Sequence, residues 1–321
     1  MYVLTIKPQT NYFEKLVKLF ELGFVNFRIN FARGSVDENY NLIREYKNFF
    51  KSKNQQCLIF VDLPGYKIRL GSFVNGSEML THGQKYVFDF MKDNPGNIHR
   101  VYIGDSIIHE MSKKGDILVL SNGVQFEVVD KTLSELVTVV IKEGKIYNFC
   151  GIMIAGKYIE NEKLSEADQN ILSQMTDEVD FICPSFVDNV SVIDQIQKFY
   201  TLKRNQRIIA KIESPIGVRN MKDIAYCSDG IMLCRGDLSY FYDRTKIELL
   251  GHEMKIVTNE LNKKLAFATD YFKSMVDGND LSLDDFESLK NALKIKPDYI
   301  VLNETSYSIA WEKIARKAKE I

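Results

Sequence analysis

Short runs of valine, isoleucine, leucine and phenylalanine alternate along the chain with longer segments in which apolar residues recur at helical spacing. Runs of this length are typical of buried strands, and the longer segments have the period of amphipathic helices. The predicted strands lie near residues 2–6, 24–29, 57–62, 179–183, 207–212, 229–233, 264–268 and 298–302, and the predicted helices include residues 12–22, 39–51, 191–202, 246–262, 283–293 and 309–321. Eight βα units in 321 residues predict an α/β protein built on a (β/α)8 TIM barrel.

The alternation is interrupted between the third and fourth predicted strands. From about residue 71 to residue 156, short apolar runs are separated by turn signals, among them Asn94-Pro95-Gly96 and Ser121-Asn122-Gly123. This pattern is typical of a small all-β domain. We therefore predict a barrel domain of residues 1–70 and 157–321 and a small β-barrel of residues 71–156, inserted after the third strand. A domain inserted at the catalytic end of a barrel is well placed to act as a lid that excludes water.

Polar residues follow several predicted strands at their carboxyl ends, which meet at one mouth in a barrel of this kind. Because strand side chains alternate, Lys211 and Glu213 project from the same face of the fifth strand. The convergence predicts a functional site at the mouth. Its candidate residues are Arg28, Asn30, Asp62, Lys211, Glu213, Arg235, Gly236, Asp237 and Thr269, and the eighth strand leads into Asn303, Glu304 and Thr305 at the same mouth.

Carboxylates and cations near these strand ends indicate what the mouth binds. Glu213 and Asp237, at neighbouring strand ends, suit one hard divalent cation, Mg2+ or Mn2+, with water and substrate oxygens as its other ligands. An anionic, phosphorylated ligand is predicted by four cations. These cations are Arg28, Lys67, Arg69 and Lys211.

Each of these residues also has a purely structural interpretation. A buried Lys–Glu pair can stabilise a barrel core, and Arg28 or Asp62 alone can belong to a core ion pair. Gly34, Gly65 and Gly236 can each simply supply a turn. So many charged residues at strand ends would be a costly device for stability alone, and their convergence favours a phosphate-and-metal site.

Composition and charge argue against some classes of binding partner. Lysine and arginine number 42 against 43 aspartate and glutamate, so the formal net charge of −1 does not favour nucleic-acid binding by bulk charge. No apolar run approaches the roughly 18 residues of a membrane helix and no secretion signal is evident, so we expect a cytoplasmic protein without a membrane partner. The five scattered cysteines and four separate histidines predict neither disulfides nor a histidine-ligated metal.

Several segments, taken in order, are similar to motifs of the pyruvate kinase family. RINFARG at residues 28–34 resembles the family's RLNFSHG, and AKIE at residues 210–213 resembles SKIE. Further similarities are those of DLPGYKIR at residues 62–69 to DTKGPEIR, of RGDL at residues 235–238 to the end of DGIMVARGDLG, and of NET at residues 303–305 to the end of SGET. This ordered agreement implies the fold and ancestry of that family.

The resemblance implies an enzyme that moves a phosphoryl group between phosphoenolpyruvate and a nucleoside diphosphate such as ADP, giving pyruvate. Glu213 and Asp237 would ligate Mg2+, and Lys211 would stabilise the phosphoryl group and the enolate. The catalytic residues would be Lys211, Thr269 and Arg28. Arg28 would contact the phosphate, and the backbone of Arg235, Gly236 and Asp237 would contact the substrate carboxylate. Thr269 would lie near the methylene carbon, and Asn30, Arg33 and Arg69 would face the nucleotide side.

Two departures from the family motifs concern the monovalent cation. Ala32 replaces a serine that helps to bind potassium in the family, and Lys67 stands where potassium-dependent members carry glutamate. Because an ammonium group supplies the charge of a bound cation, we expect Lys67, together with Asp62, to substitute for potassium. The resemblance therefore implies an enzyme that does not require K+.

Other departures leave alternatives open. A lysine expected near the nucleotide phosphates is lost from residues 150–156, and Arg33 replaces a histidine. One alternative is thus an Mg2+-dependent lyase, aldolase or hydrolase acting on a pyruvate-like oxo-acid with the nucleotide site lost, and another is a non-catalytic relative. The family's C-terminal effector domain has no counterpart here, so we expect no allosteric domain and a monomer or homodimer rather than a tetramer.

Overall fold

The computed structural model describes residues 1–8, 12–158, 160, 162–199, 206–268 and 271–321. In chain order the strands are β1 (Tyr2–Ile6), β2 (Asn26–Asn30), β3 (Leu58–Asp62), β4 (Ser77–Leu80), β5 (Lys85–Asp89), β6 (Arg100–Tyr102), β7 (Ile117–Leu120), β8 (Gln125–Lys131), β9 (Glu135–Lys142), β10 (Gly144–Tyr147), β11 (Ile152–Ile154), β12 (Phe181–Cys183), β13 (Arg207–Ile212), β14 (Gly230–Cys234), β15 (Lys264–Ala268) and β16 (Tyr299–Leu302). The helices are α1 (Tyr12–Glu21), α2 (Val36–Ser52), α3 (Ile107–Met111), α4 (Glu166–Ser173), α5 (Val190–Phe199), α6 (Pro215–Arg219), α7 (Met221–Cys227), α8 (Arg235–Leu238), α9 (Arg244–Glu260), α10 (Leu283–Ile295) and α11 (Trp311–Glu320), with 3-10 turns at Lys273–Met275 and Glu304–Ser306.

Eight of these strands form a closed barrel in the order β1, β16, β15, β14, β13, β12, β3, β2. Every neighbouring pair is parallel. The helices that follow the strands pack around the barrel through their apolar faces. The predicted α/β fold with a (β/α)8 TIM barrel is confirmed.

The second strand begins two residues later than predicted because Phe24 belongs to the end of α1. The amide of Phe24 donates to the carbonyl of Leu19 at 3.0 Å, and Gly23 between them has a φ of +74°. This is the way in which a left-handed glycine closes a helix, with an apolar residue after it packing back. Phe24 is therefore buried by the helix end and not by strand pairing.

Apolar side chains fill the barrel interior beneath the predicted site. The rings of Phe60 and Phe181 stack with centroids 4.4 Å apart, and Tyr299 meets Phe60 edge-on at 5.0 Å. Because strand side chains alternate, Phe60 and Asp62 point to the same face of β3. The aromatic layer therefore lies one step below the charged residue at the strand end.

The chain divides into two compact units, Met1–Tyr66 with Glu160–Ile321 and Lys67–Ile159. The sequence predicts the boundaries of the insertion at residues 71 and 156. In the second unit β11, β7, β8, β9, β5 and β6 form a six-stranded sheet in that order, and β10 pairs with β4 in a two-stranded sheet. This unit has its own apolar core. The expected small β-barrel is not confirmed, because its strands are divided between two sheets.

A short helix, α3, lies within the segment for which we expected strands only. The amide of Ile107 donates to Asp105 Oδ1 at 2.9 Å. At the other end, Lys131 Nζ donates to the carbonyl oxygens of His109 at 2.6 Å and Ser112 at 3.0 Å. Side chains thus satisfy backbone groups at both ends of a helix too short for its period to be visible in the sequence.

All five cysteines are unpaired thiols. Four are buried, and Cys227 is half-buried. Within the part of the chain that the structure describes, no helix has the length and apolar character needed to cross a membrane.

Lys15, on α1, is a buried lysine that makes stability depend on pH. Its side chain is 5% exposed, and Nζ donates to the carbonyl of Thr305. Burial, with a smaller contribution from Lys7, lowers the pKa of Lys15 to about 8. Between this value and the ordinary value near 10.4 the unfolded chain binds more protons, so the free energy of unfolding rises with pH in that window.

We compare the free energy of unfolding of Lys15→Met with that of wild type, and we expect the difference to favour the variant more at about pH 7 than at about pH 10. Only at the lower pH does folding of the wild type bury a charged ammonium group. Urea denaturation at both pH values measures this difference. Lys18→Met on the same helix, where the side chain is 52% exposed, is the control and should show no such change. Equal effects of Lys15→Met at the two pH values would contradict the expectation.

Candidate active site at the carboxyl ends of the barrel strands

Four charged side chains form one connected cluster at the ends of β2, β3 and β13. Asp62 Oδ2 pairs with Arg28 Nη2, and Asp62 Oδ1 lies 2.8 Å from Lys211 Nζ. Lys211 Nζ is also 3.1 Å from Glu213 Oε1. All four residues are between 3% and 6% exposed. The structure thus brings two buried cations and two buried carboxylates together, where their interactions are screened little by water.

Burial and mutual pairing set the charge states of this cluster. Burial favours the neutral form of Asp62, but Arg28 and Lys211 outweigh it and hold the pKa of the carboxyl below its usual range. Burial also favours neutral Lys211, but Asp62 and Glu213 outweigh it and raise the pKa of the ammonium above its ordinary value. At neutral pH Lys211 is therefore a cation and Asp62 an anion.

The guanidinium of Arg28 is held through its two terminal nitrogens. Nη1 donates to Thr5 Oγ1 at 3.1 Å and to Asn303 Oδ1, and Nη2 donates to Asp62. Nε is buried and has no hydrogen-bond partner among the described residues. A buried N–H group without a partner is costly, and a negatively charged ligand oxygen would satisfy it.

The loop after β12 orients the ammonium group of Lys211. The hydroxyl of Ser185 donates to the carbonyl of Leu63 at 2.7 Å, so its lone pairs are left for Lys211 Nζ, 2.6 Å away. Gly65 has a φ of +65°, and a Cβ there would lie 2.8 Å from Cβ of Ser185. Glycine is required at residue 65 both by its backbone conformation and by this close approach, so it is more than an ordinary turn residue.

The next residue of the same loop fixes Glu213. Phe186 has a φ of +52°, and its amide donates to Glu213 Oε2 at 2.8 Å. A bulky residue in the left-handed region is uncommon and costs energy, and such residues cluster at functional sites. Here the unusual backbone aims an N–H group at a carboxylate that also contacts Lys211.

Glu213 and Asp237 fit a hard divalent cation. Burial raises the pKa of Glu213, Lys211 opposes this, and the negative charge of Asp237 raises it further. Asp237 is half-buried in α8. A divalent cation would relieve the repulsion between the two carboxylates. Among the described residues no group of three or more His, Cys, Asp or Glu side chains is arranged for a metal, so substrate and water oxygens would complete the shell.

The segment after β14 carries the other predicted carboxylate-binding residues. Arg235 begins α8, and its guanidinium carbon lies 4.5 Å from the ring centroid of Tyr271, in cation–π contact. The carbonyl of Gly236 accepts a hydrogen bond from the hydroxyl of Ser239 at 2.7 Å. The backbone of Arg235, Gly236 and Asp237 is thus the first turn of a short helix, whose amides are the predicted contacts of the substrate carboxylate.

Glu304, after β16, fixes the chain that follows β15. Its Oε1 accepts the amides of Tyr271 at 2.9 Å and Phe272 at 3.1 Å. Thr269, the predicted neighbour of the methylene carbon, lies outside the described residues. The carboxylate of Glu304 therefore anchors the chain two residues beyond Thr269.

Two of the predicted nucleotide residues follow β2. Asn30 is paired with Asp62 in the register of β2 and β3, and its Oδ1 accepts the amide of Ala32 at 2.9 Å. Arg33 is exposed. The structure thus places Asn30 beside the charged cluster and Arg33 on the surface.

Lys67 and Arg69 belong to the second unit. Arg69 Nη1 donates to the carbonyl of Phe149 at 3.1 Å. Lys67 passes over Gly151 so closely that a Cβ there would lie 2.6 Å from Lys67 Cε. Gly151 therefore leaves room for the Lys67 side chain.

Sequence reasoning assigned no role to three uncharged residues that contact the cluster, namely Thr5, Ser185 and Asn303. Asn303 directly follows β16, and Ser185 follows β12 by two residues. The rule of polar residues at strand ends already gave Asn303 as a residue after the eighth strand, without a role, and it would have given Ser185 if it had been extended two residues beyond the fourth strand. Thr5 lies inside β1 and carries no comparable signal.

Comparisons with known proteins show the family to which the chain belongs. The family described as "Pyruvate kinase, barrel domain" matches residues 1–306. The pyruvate kinase of Thermotoga maritima is 28% identical over 306 residues, which cover 94% of this chain and 65% of that protein. The pyruvate kinase of Geobacillus stearothermophilus is 31% identical over 280 residues, which cover 85% of this chain and 47% of that protein.

A solved structure shares the fold. The crystal structure of a pyruvate kinase from Cryptosporidium parvum superposes with a TM-score of 0.83 at 22% identity, covering 99% of this chain and 68% of that one. The chain spans between about half and two thirds of the length of the two relatives named above. Since the barrel-domain family matches nearly the whole chain, the chain belongs to the pyruvate kinase family.

Proposed function

We propose that this chain catalyses Mg2+-dependent phosphoryl transfer between phosphoenolpyruvate and a nucleoside diphosphate, giving pyruvate. The proposal is carried by the buried cluster of Arg28, Asp62, Lys211 and Glu213 with Asp237 beside it. In the reaction the bond between phosphorus and the enol oxygen breaks, a bond from phosphorus to a diphosphate oxygen forms, and the enolate is protonated at its methylene carbon.

The cations of the cluster suit the charge that moves in this reaction. Arg28 would bind a phosphoryl oxygen through Nε, the N–H group without a partner in the described part of the chain. Lys211 stays protonated at neutral pH and would stabilise both the phosphoryl group in flight and the enolate oxygen left behind. Both cations are held in place before substrate arrives, so little reorganisation is needed at the transition state.

Glu213 and Asp237 would hold the divalent cation, Mg2+ or Mn2+. When bound there, the cation would supply positive charge that stabilises the negative charge of the substrate during transfer. The amide of Phe186 and the ammonium of Lys211 hold Glu213 in one orientation. We also propose that the unit Lys67–Ile159, inserted between β3 and β12, excludes water during transfer, which would protect the phosphoryl group from hydrolysis.

The test is a single assay with Mg2+, phosphoenolpyruvate and each nucleoside diphosphate in turn, in which pyruvate is measured. Pyruvate formation that requires the diphosphate is expected. Pyruvate formed equally well without a diphosphate would overturn the proposal in favour of a hydrolase. Absence of turnover together with tight binding of oxalate, an enolate analogue, would overturn it in favour of a lyase or aldolase acting on an oxo-acid.

We further propose that Lys67 replaces the monovalent cation. Its ammonium supplies a fixed positive charge, and Gly151 gives its side chain the room it needs. Activity is expected to be the same in potassium and sodium salts at constant ionic strength. A many-fold increase on adding potassium would contradict this.

Lys67→Glu is expected to make activity depend on potassium, because the carboxylate removes the built-in charge and offers a ligand to the free ion. The measurement is the ratio of turnover in potassium to turnover in sodium, which should rise from about one by roughly tenfold or more, the effect of one charge interaction of about 1.4 kcal/mol. Lys85→Glu, a charge reversal at an exposed site of the same unit, is the control. A ratio near one in Lys67→Glu would refute the role.

A further inference from the structure

Asp188 and Ser214 form a buried hydrogen-bonded pair beside the candidate active site. Asp188 follows β12 by five residues, and Ser214 directly follows Glu213. Both residues are 0% exposed. The hydroxyl of Ser214 donates to Asp188 Oδ1, and its oxygen accepts the amide of Gly217 at 2.9 Å. Because a serine hydroxyl has one proton, and Gly217 is a donor to its oxygen, that proton is directed to the aspartate.

The pair belongs to a set of hydrogen bonds that joins the loop after β12 to the segment at the end of β13. The amide of Lys211 donates to the carbonyl of Pro184 at 3.1 Å, and the amide of Val187 donates to the carbonyl of Lys211 at 3.2 Å. The carbonyl of Asp188 accepts a hydrogen bond from Asn220 Nδ2 at 2.7 Å. Asp188 is thus held both by its side chain and by its backbone.

Phe186, two residues before Asp188, needs such support. Its φ of +52° lies in the left-handed region, where a bulky residue stays only when the surrounding structure holds it. In this conformation its amide donates to Glu213 Oε2 at 2.8 Å. The loop is also tightly packed, because a Cβ at Gly217 would lie 2.8 Å from the carbonyl oxygen of Val187. The anchored Asp188 therefore helps to hold the backbone that aims an N–H group at Glu213.

Glu213 is consequently fixed at both of its ends. The amide of Phe186 and the ammonium of Lys211 hold its carboxylate. The hydrogen bond from Ser214 to Asp188 fixes the backbone directly after it. Residues 186–188 of one loop thus contact the carboxylate and the backbone side of Glu213, and a movement of this loop would release both.

We propose that Asp188 and Ser214 are positioning residues for Glu213. Their hydrogen bond keeps Phe186 in its left-handed conformation and keeps Glu213 in the orientation in which it would bind Mg2+ or Mn2+. Neither side chain would touch the cation or the substrate. Removal of groups that orient metal ligands typically lowers metal affinity by about 10- to 100-fold. The metal-binding step of this inference rests on the proposed function, whereas the effect on the loop does not.

Hydrogen exchange of the full chain, followed by mass spectrometry without added metal, tests the effect on the loop. Ser214→Ala removes the proton that Asp188 accepts, so the peptide that contains Phe186 should exchange about tenfold faster than in wild type. Asp188→Ala leaves the contact between Ser214 and Gly217 in place and should show the same increase. Ser228→Ala is the matched control, since its buried hydroxyl donates to the carbonyl of Ile224 at 2.8 Å, and it should leave this peptide unchanged.

Calorimetry with Mn2+ alone tests the metal-binding step. Ser214→Ala and Asp188→Ala are each expected to weaken Mn2+ binding by about tenfold. Because both act through one hydrogen bond, the double variant should weaken it no further than either single variant. Ser228→Ala should bind Mn2+ as wild type does.

Unchanged exchange of the Phe186 peptide in Ser214→Ala would overturn the effect on the loop, and an increase in Ser214→Ala without one in Asp188→Ala would assign the effect to the contact with Gly217 instead. Wild-type Mn2+ affinity in both single variants, or additive losses in the double variant, would overturn the positioning role. Faster exchange in both variants of a chain that binds no Mn2+ as wild type would overturn the proposed metal site and leave the inference about the loop standing.

Discussion

Replacing Lys211 with methionine is expected to abolish phosphoryl transfer and to lower the free energy of unfolding by about 3–5 kcal/mol. The ammonium is buried and lies 2.8 Å from Asp62 and 3.1 Å from Glu213. Methionine fills a similar volume but leaves the two carboxylates with one cation, Arg28. Catalysis is lost because the charge that would stabilise the enolate and the phosphoryl group is gone.

Two measurements separate the catalytic effect from the structural one. Turnover is followed as pyruvate formation under conditions in which the variant is fully folded, and Mn2+ binding by calorimetry reports whether Glu213 and Asp237 remain in place. Metal binding should be nearly intact. Lys313→Met, which breaks a surface ion pair with Asp280 at 2.8 Å, is the control and should cost less than about 1 kcal/mol. Wild-type turnover in folded Lys211→Met would refute the assigned role.

Asp62→Asn is expected to destabilise the protein by a similar amount, about 3–5 kcal/mol, because it leaves Arg28 and Lys211 buried beside each other with too little negative charge. Turnover should fall steeply as well. In wild type Asp62 holds both cations in place. Burial would lower the pKa of Lys211, and the negative charge of Asp62 makes the largest contribution that raises it. Urea denaturation of the variant and of wild type measures the effect.

The pH dependence of the difference in free energy of unfolding between wild type and Asp62→Asn shows whether the effect is electrostatic. The pKa of Asp62 lies below its ordinary value, so the carboxylate contributes fully above the ordinary pKa of about 3.9, and the contribution is lost as the pH falls through the folded-state pKa. The gap between wild type and Asp62→Asn should therefore be constant down to about pH 5 and shrink below it. Asp284→Asn, which breaks an exposed pair with Arg244 at 2.6 Å, is the matched control. A gap that persists undiminished in acid would show that the effect is not electrostatic.

The barrel could be predicted because its strands are buried on both faces and therefore appear as continuous apolar runs. The fifth strand was predicted over residues 207–212, as observed. Helix α2 was predicted to begin at residue 39 but begins at Val36, where Ser35 and Glu38 form a capping box. That signal, a serine followed three residues later by glutamate, is visible in the sequence and gives the correct start.

The contacts within the site could be predicted only in part. Because the carboxyl ends of barrel strands meet at one mouth, the sequence predicted that Arg28, Asp62, Lys211 and Glu213 lie close together. Which of these side chains pair with one another depends on the register of the closed barrel. Asn303 contacts Arg28 across 275 positions of sequence, and no local pattern encodes such a contact. The pattern of the inserted segment indicated strands, but not that β5 and β6 pair in parallel within one sheet.

The closure of the barrel between β1 and β16 has a consequence for the way the chain folds. The first strand finds one of its two partners only after residue 302 has been made, and β3 must wait for β12 on the far side of the inserted unit. Contacts this distant in sequence form slowly. The unit Lys67–Ile159, whose core is built from its own residues, is complete long before then. During synthesis the early barrel strands therefore present unpaired edges until β12 and β16 are available, and unpaired strand edges favour aggregation.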